Sequence, residues 1–263
     1  MNSKNQEHQG NHLKNAGKSA LITGANKSIG LEVARQLAQK GFYVYIGSRN
    51  LQNGLQAVEK LKADGLENVV AVQLDVTEAE SVKAARAEVG KKANRLDVLI
   101  NNAGINGGGG LPQRTLDSDI ESFKKVYETN LFGVVRVTQA FFDLLKNSPA
   151  PRIVNVTSSS ASLTLQSDPT WAYYEHKAAV YSPSKTALNM LTVHLAYELR
   201  DTPFKVNAVC PGFTKTDFNN HHGTGRVEEA GKRIVKYALI DKNGPTGKFF
   251  SEDYNPETGE IPW

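Results

Sequence analysis

Between residues 19 and 30 the chain passes from a short apolar strand, Ser19-Ala20-Leu21-Ile22, through Thr23-Gly24-Ala25-Asn26-Lys27-Ser28-Ile29-Gly30 into a helical pattern. The apolar residues Ile29, Val33, Ala34, Leu37 and Ala38 recur there at the spacing of one helix face. A strand, a glycine-bounded turn and a helix N-terminus in this order form an anion cradle. Backbone N–H groups point outward and the helix dipole favours negative charge. Gly24 and Gly30 permit the tight turn and close packing that a side chain would block. A plain turn between strand and helix would also accept a glycine, but the flanking strand and amphipathic helix are the context a phosphate-binding loop requires.

The alternation then repeats. Residues 42–49 read as a second strand and 51–63 as a helix. Residues 69–75 form a third strand and 78–92 a helix, and 96–100 a fourth strand ending in Asn101-Asn102-Ala103-Gly104. After a flexible loop at Gly107-Gly108-Gly109-Gly110, a long helix over 120–146 carries Asn130 at its middle. A break at 149–151 leads to a fifth strand, 152–158, which ends in hydroxyls. A helix holding Tyr181 runs to about residue 199, and a sixth strand over 205–209 leads into Cys210-Pro211-Gly212-Phe213-Thr214-Lys215-Thr216. A helix near 227–239 and a short strand at 247–250 close the chain. Strands alternating with helices at this spacing imply right-handed crossovers and a parallel sheet. The expected class is α/β: a Rossmann-type doubly wound parallel sheet in one domain, 17–263, with no internal repeat or linker.

Residues 1–16 are Asn, Gln, His, Lys and Gly with almost no apolar content. They lack the apolar core of a signal peptide and read as a disordered leader. With 263 residues, 40% of them hydrophobic, the rest can bury a core without a disulfide or metal. The single cysteine, Cys210, excludes an internal disulfide and suits a reducing cytoplasm; between Val209 and Pro211 it reads as buried and inert. The formal charge of +4 is scattered rather than blocked, which argues against nucleic acid. No apolar run approaches the roughly 18 residues a membrane span needs. His221 and His222 are adjacent, a spacing that rarely chelates one ion, and no thiol or carboxylate cluster accompanies them, so no metal is expected. They read as part of a mobile loop over the substrate, and His194 as a half-buried helix residue.

Tyr181 and Lys185 are four apart, so on a helix they share one face. A phenol with a pKa near 10 is a poor acid at neutral pH. An ammonium at about 4 Å, in an effective dielectric of about 20, favours phenolate by about 4 kcal/mol and would bring Tyr181 near the working pH of a general acid. Pro183 fits only in the first turn of the helix. An exposed Tyr/Lys pair would show the same spacing.

Five separated motifs then agree in order: Thr23-Gly24 to Gly30, Asn101-Asn102-Ala103-Gly104, Asn130, Ser158 with Tyr181 and Lys185, and Pro211-Gly212 to Thr216. The set resembles the short-chain dehydrogenase/reductase family from Ser19 onward. Gly244-Pro245-Thr246-Gly247-Lys248-Phe249-Phe250 and the ending Ile261-Pro262-Trp263 resemble its carbonyl-reductase-like members. The resemblance implies that Tyr181 protonates a carbonyl oxygen during hydride transfer, and that Lys185 lowers its pKa and holds the nicotinamide ribose. It also implies that Ser158 hydrogen-bonds the substrate oxygen, although Thr157, Ser159 and Ser160 crowd that assignment. Asn130 would hold a water beside Lys185. The cofactor-binding set so implied is Gly24, Asn26, Lys27, Ser28, Ile29, Gly30, Arg49, Asp75, Val76, Asn102, Ala103, Gly104, Tyr181, Lys185, Pro211, Gly212, Thr214 and Thr216. The resemblance further implies a homodimer or homotetramer joined through the helices of Asn130 and Tyr181.

The expected cofactor is NADP(H). NAD-specific enzymes place an acid at the end of the second strand. Here that place reads Gly47-Ser48-Arg49, and Arg49 with Lys27 offers cations to a 2′-phosphate. Two departures stand out. Ser28 occupies a place where the family has Gly or Ala, with a possible shift of the backbone. The 22 residues between Ser158 and Tyr181 exceed the number in most relatives. That insertion reads equally as a substrate wall, an altered subunit interface or a surface addition. The expected activity is reduction of a small-molecule ketone or aldehyde to an alcohol. The alternatives are a 3-oxoacyl thioester reductase, for which no basic docking patch is evident, and a non-catalytic dinucleotide-binding regulator, a class that typically lacks the tyrosine or lysine.

Overall fold

Successive side chains of a strand point to opposite faces, so a strand covered by helices on both sides must be apolar throughout. The central runs Ala20-Leu21-Ile22, Val44-Tyr45-Ile46 and Val98-Leu99-Ile100 meet that condition. The computed structural model describes residues 17–108 and 112–263. In it the strands β1 (Ser19–Ile22), β2 (Tyr43–Ser48), β3 (Val69–Gln73), β4 (Val98–Asn101), β5 (Arg152–Val156), β6 (Lys205–Val209) and β7 (Phe249–Phe250) pair in parallel as one sheet, in the order β3-β2-β1-β4-β5-β6-β7. The helices are α1 (Ser28–Gln39), α2 (Leu51–Ala63), α3 (Ala79–Lys92), α4 (Ile120–Tyr127), α5 (Gly133–Lys146), α6 (Leu163–Gln166), α7 (Tyr181–Glu198) and α8 (Val227–Ala238).

Ala20, Ile22, Val44 and Ile46 face α1, α2 and α8, where they meet Leu37, Leu61 and Ile234. Leu21, Tyr45, Leu99 and Ile153 face the other way, onto Val89 of α3 and Val137 and Phe141 of α5. The doubly wound expectation therefore holds. The connections from β1 and β4 diverge, and the crevice they leave lies outside the carboxyl ends of these two strands. The glycine turn and the Asn102 segment both end there.

Three local expectations change. The long helix over 120–146 is interrupted by a π turn, Glu128–Phe132, which carries Asn130 inward to full burial. The fifth strand stops at Val156 because Ser158 opens a 3-10 turn, Ser159–Ala161. The insertion before Tyr181 is not a surface addition: Trp171 is only 7% exposed and packs with Leu165, Phe249 and Ile261. Thr164 donates twice to the Trp263 carbonyl, through N–H at 3.1 Å and Oγ1 at 2.9 Å, so the insertion is seated on the C-terminal tail. The leader and Gly109 and Gly110 of the expected flexible loop lie outside the described residues. No helix of the described residues is long and apolar enough to cross a membrane.

Candidate active site

The two glycine-bearing motifs lock each other. Gly24 has φ +63°, and a Cβ there would stand 3.0 Å from Ala103 Cα. A Cβ on Gly30 would come within 2.6 Å of both Asn102 Nδ2 and the Gly24 carbonyl. Asn102 Nδ2 donates to the carbonyls of Thr23 (2.9 Å) and Gly24 (3.1 Å), while the N–H groups of Asn102 and Ala103 both donate to Thr23 Oγ1 at 3.0 Å. Asn102 thus holds the turn in shape with its side chain. The turn delivers the start of α1, whose N-cap Lys27 makes no side-chain cap and whose first turn holds no acid. The unpartnered N–H groups of a helix start, beside backbone bared by Gly24 and Gly30, fit a dinucleotide pyrophosphate.

Ser28 has φ +49°. The substitution for the family's small residue therefore leaves the backbone left-handed, at a cost that glycine would not carry. The Ala25 N–H donates to the Gly47 carbonyl at 3.0 Å, which ties the glycine turn to the end of β2. Just beyond, Arg49 is exposed. Ser48 is 1% exposed, with its hydroxyl turned back to the Asn50 carbonyl, so an acid at that position would be buried. Lys27 does not stand free as the sequence suggested: its Nζ lies 2.8 Å from Asp217 Oδ2, in the segment after β6. Asp75 caps its own turn, accepting from Thr77 N–H (3.0 Å) and Oγ1 (2.7 Å). The Val76 carbonyl accepts from Arg136, and the Val76 side chain sits where Gly133 lets α5 approach. Asn26 and Ile29 are half-buried in and beside the turn.

Tyr181 opens α7, and Pro183 falls in its first turn as expected. Lys185, one turn on, has its Nζ 5.9 Å from the centroid of the Tyr181 ring and donates to the Val156 carbonyl at 2.9 Å. Burial lowers its pKa to about 8. From the spacing alone, Lys185 is expected to bring the Tyr181 pKa down as well. The structure reverses this: burial pushes the phenol up, Cys210 adds to the rise, and the Ser158 hydroxyl pulls the other way. Four-residue spacing brings Lys185 beside Tyr181 but carries no information on the water both groups lose, and burial is the largest cause of each shift.

Asn130 is not on an exposed face. Its Oδ1 accepts from Ile105 N–H at 2.9 Å, and its Nδ2 donates to the Ile105 carbonyl (2.9 Å) and to Ser184 Oγ (3.0 Å). One amide hydrogen and Oδ1 thereby fix Ile105, just after Gly104, and the other amide hydrogen ties Asn130 to α7. Gly104 passes close to Asn130 Oδ1 and Lys185 Nζ: a Cβ built there would stand 3.3 Å from the first and 3.4 Å from the second and would crowd both.

The Pro211–Thr216 segment returns over the crevice. Gly212 has φ +87°, and Thr214 and Thr216 are buried within the segment, with Thr214 N–H bonded to the Gly212 carbonyl at 2.8 Å. The 3-10 turn capped by Thr216 holds Phe218, a residue the sequence did not single out. Its ring sits edge-on over Tyr181, centroids 5.4 Å apart, and the Phe218 carbonyl accepts from Asn106 Nδ2 at 2.5 Å. Tyr173 of the insertion meets Phe213 edge-on at 6.1 Å. An aromatic among the polar residues that follow Thr214 was the one signal available for Phe218. His221 Nε2 lies 3.0 Å from Asp217 Oδ1 and His222 is exposed; His194 is exposed too, not half-buried. No cluster of metal-binding side chains occurs among the described residues. Cys210 is buried, and its surroundings push its thiol up, burial most of all, as an inert thiol requires.

A family model described as short chain dehydrogenase matches residues 18–226. The chain is 33% identical to salutaridine reductase of Papaver bracteatum, over 88% of this chain and 93% of that protein. It is 35% identical to (-)-isopiperitenone reductase of Mentha piperita, over 89% of this chain and 96% of that protein. Among solved structures, the NADPH-bound carbonyl reductase from chicken fatty liver superposes with a TM-score of 0.79 at 28% identity, covering 94% of this chain and 99% of that one.

Proposed function

The chain belongs to the short-chain dehydrogenase family, and from that premise we propose that it is an NADP(H)-dependent oxidoreductase reducing a ketone or aldehyde to an alcohol. The observation that carries the reading is the buried Lys185, bonded to the Val156 carbonyl one turn from Tyr181, with the Ser158 hydroxyl acting on the Tyr181 phenol. The names of salutaridine reductase and (-)-isopiperitenone reductase, and the NADPH in the carbonyl reductase neighbour, support it. A regulator without turnover has no need of a buried lysine held in this way.

Gly24, Gly30 and the start of α1 hold the pyrophosphate, and Arg49 meets the 2′-phosphate. NADP(H) bound there supplies the hydride. The Tyr181 phenol, raised by burial, is fully protonated at neutral pH. It gives its proton to the carbonyl oxygen as negative charge develops there. Ser158 donates a hydrogen bond to the same oxygen. Lys185 places positive charge beside the phenolate that Tyr181 becomes, and Asn130 Oδ1 with Lys185 Nζ holds a water beside Gly104 to return the proton. Phe218, Phe213 and Tyr173 give the substrate side an aromatic surround, which suits an apolar carbonyl compound better than a carrier-bound thioester.

The free buried thiol of Cys210 supports a reducing, cytoplasmic setting. Met190 and Tyr197, exposed seven residues apart on α7, and exposed Phe132 in the adjoining π turn supply apolar surface for a homodimer or homotetramer. The test is Tyr181→Phe, assayed by loss of reduced-cofactor absorbance on a panel of ketones, quinones and acyl thioesters. The expected result is a fall in kcat by orders of magnitude with NADPH affinity nearly unchanged; near-normal turnover sinks the assignment.

A further inference from the structure

Ser158 stands first in a run of three serines, and the third, Ser160, has no part in the mechanism above. We propose that Ser160 is a positioning residue that turns the Ser158 hydroxyl into a committed donor toward the substrate oxygen. The proposal rests on the assignment of Ser158 to that oxygen.

Ser160 Oγ lies 2.9 Å from Ser158 Oγ, and the Ser160 N–H donates to the same oxygen at 3.2 Å. A hydroxyl has two lone pairs and one proton. When Ser160 O–H and Ser160 N–H both donate, the two lone pairs of Ser158 are taken and its proton is left to the crevice side, where the Tyr181 phenol stands and the substrate oxygen would enter. The opposite rotor setting, with Ser158 donating to Ser160, would leave a developing alkoxide without its hydrogen bond. Charge on the substrate oxygen therefore selects the chain Ser160 to Ser158 to substrate, and hydrogen bonds aligned in this way strengthen one another. Ser160 Oγ has no other hydrogen-bond partner among the described residues, so nothing competes for its proton.

The turn that presents Ser160 is braced from two sides. Thr186 Oγ1, next to Lys185 on α7, donates to the Ala161 carbonyl at 2.9 Å. From the insertion, Gln166 Nε2 donates to the Ser160 carbonyl at 3.2 Å. Gln166 is held in turn by Lys177, whose Nζ donates to its carbonyl (2.7 Å) and its Oε1 (2.9 Å) and lies 3.9 Å from the centroid of the Tyr174 ring. The added residues before Tyr181 thus act as a buttress for the serine turn. That gives the insertion a function in addition to its packing on the C-terminal tail.

The experiment is a double-mutant cycle on the NADPH-loaded enzyme, with Ser158→Ala, Ser160→Ala, the pair, and Ser160→Thr, measuring kcat, KM, NADPH Kd and Tm. Ser160→Gly removes the same hydroxyl if the alanine variant misfolds. Ser160→Ala is expected to lower kcat about tenfold, the rate equivalent of one hydrogen bond, with NADPH Kd and Tm unchanged. Ser160→Thr should restore most of the loss, and Ser160→Ala should cost nothing further once Ser158 is alanine. Wild-type kcat in Ser160→Ala, or a full additional loss in the double variant, overturns the proposal while leaving Ser158 in place. Wild-type kcat in Ser158→Ala overturns the assignment of Ser158 and the proposal with it.

Discussion

Replacing Lys185 by Met removes a buried charge, and with it a pH dependence of folding that can be worked out from the site. Lys185 is 4% exposed, and burial alone moves its pKa from 10.5 to about 8. The folded value lies below the unfolded one, so between them the unfolded chain binds more protons, and stability rises with pH across that window. Below it the ammonium costs the folded protein about 3 kcal/mol, at about 1.4 kcal/mol per pH unit. By about pH 10.5 the lysine is neutral in the folded protein and the cost is gone. Met is of similar length and uncharged, so the stability of Lys185→Met minus that of the wild type should shrink by about 3 kcal/mol from about pH 7 to about pH 10.5. The variant also leaves the Val156 carbonyl without its partner, a loss of about 1–3 kcal/mol. That loss offsets the variant equally at both ends and leaves the difference between them alone. Urea unfolding of both proteins without added dinucleotide, followed by tryptophan fluorescence, measures the gap at each pH. A gap that does not change with pH would refute burial as the cause of the shift.

Two further outcomes are expected at the crevice. Ser28→Gly should relieve the left-handed backbone and raise stability by about 1 kcal/mol, or roughly 2–4 °C in Tm; a lower Tm by calorimetry would mean that the Ser28 side chain contributes more than its backbone costs. Arg49→Ala should weaken NADPH by roughly tenfold to a hundredfold, the loss of one charged contact to phosphate, and leave NADH almost unmoved. Titration calorimetry with both cofactors decides it, and equal weakening of the two would remove Arg49 from the 2′-phosphate.

The fold was legible because its signals are local. A parallel sheet covered on both faces needs short unbroken apolar runs, and residues 20–22 and 98–100 are such runs. Gly30 was legible as a place that requires glycine for a similar reason: the Gly24 carbonyl and Ala25 Cα, within six residues of it, already exclude a Cβ there. Where long-range partners decide, spacing gave no warning. Lys27 and Asp217 are 190 positions apart, and nothing near Lys27 announces that its ammonium meets a carboxylate rather than solvent. Asn130 reads as one polar residue on a helix, because the π turn that carries it inward is set by packing against α7 and the Ile105 backbone. The Tyr181–Lys185 pair shows the limit most clearly. Four-residue spacing fixes that the two groups share a face, but the sign of the phenol's shift depends on how much water both lose, which is a property of the assembled crevice. A raised phenol and a lowered lysine still suit the proposed reduction: in it Tyr181 would hold its proton until charge appears on the carbonyl oxygen, and Lys185 would stabilise the phenolate only once that proton has left.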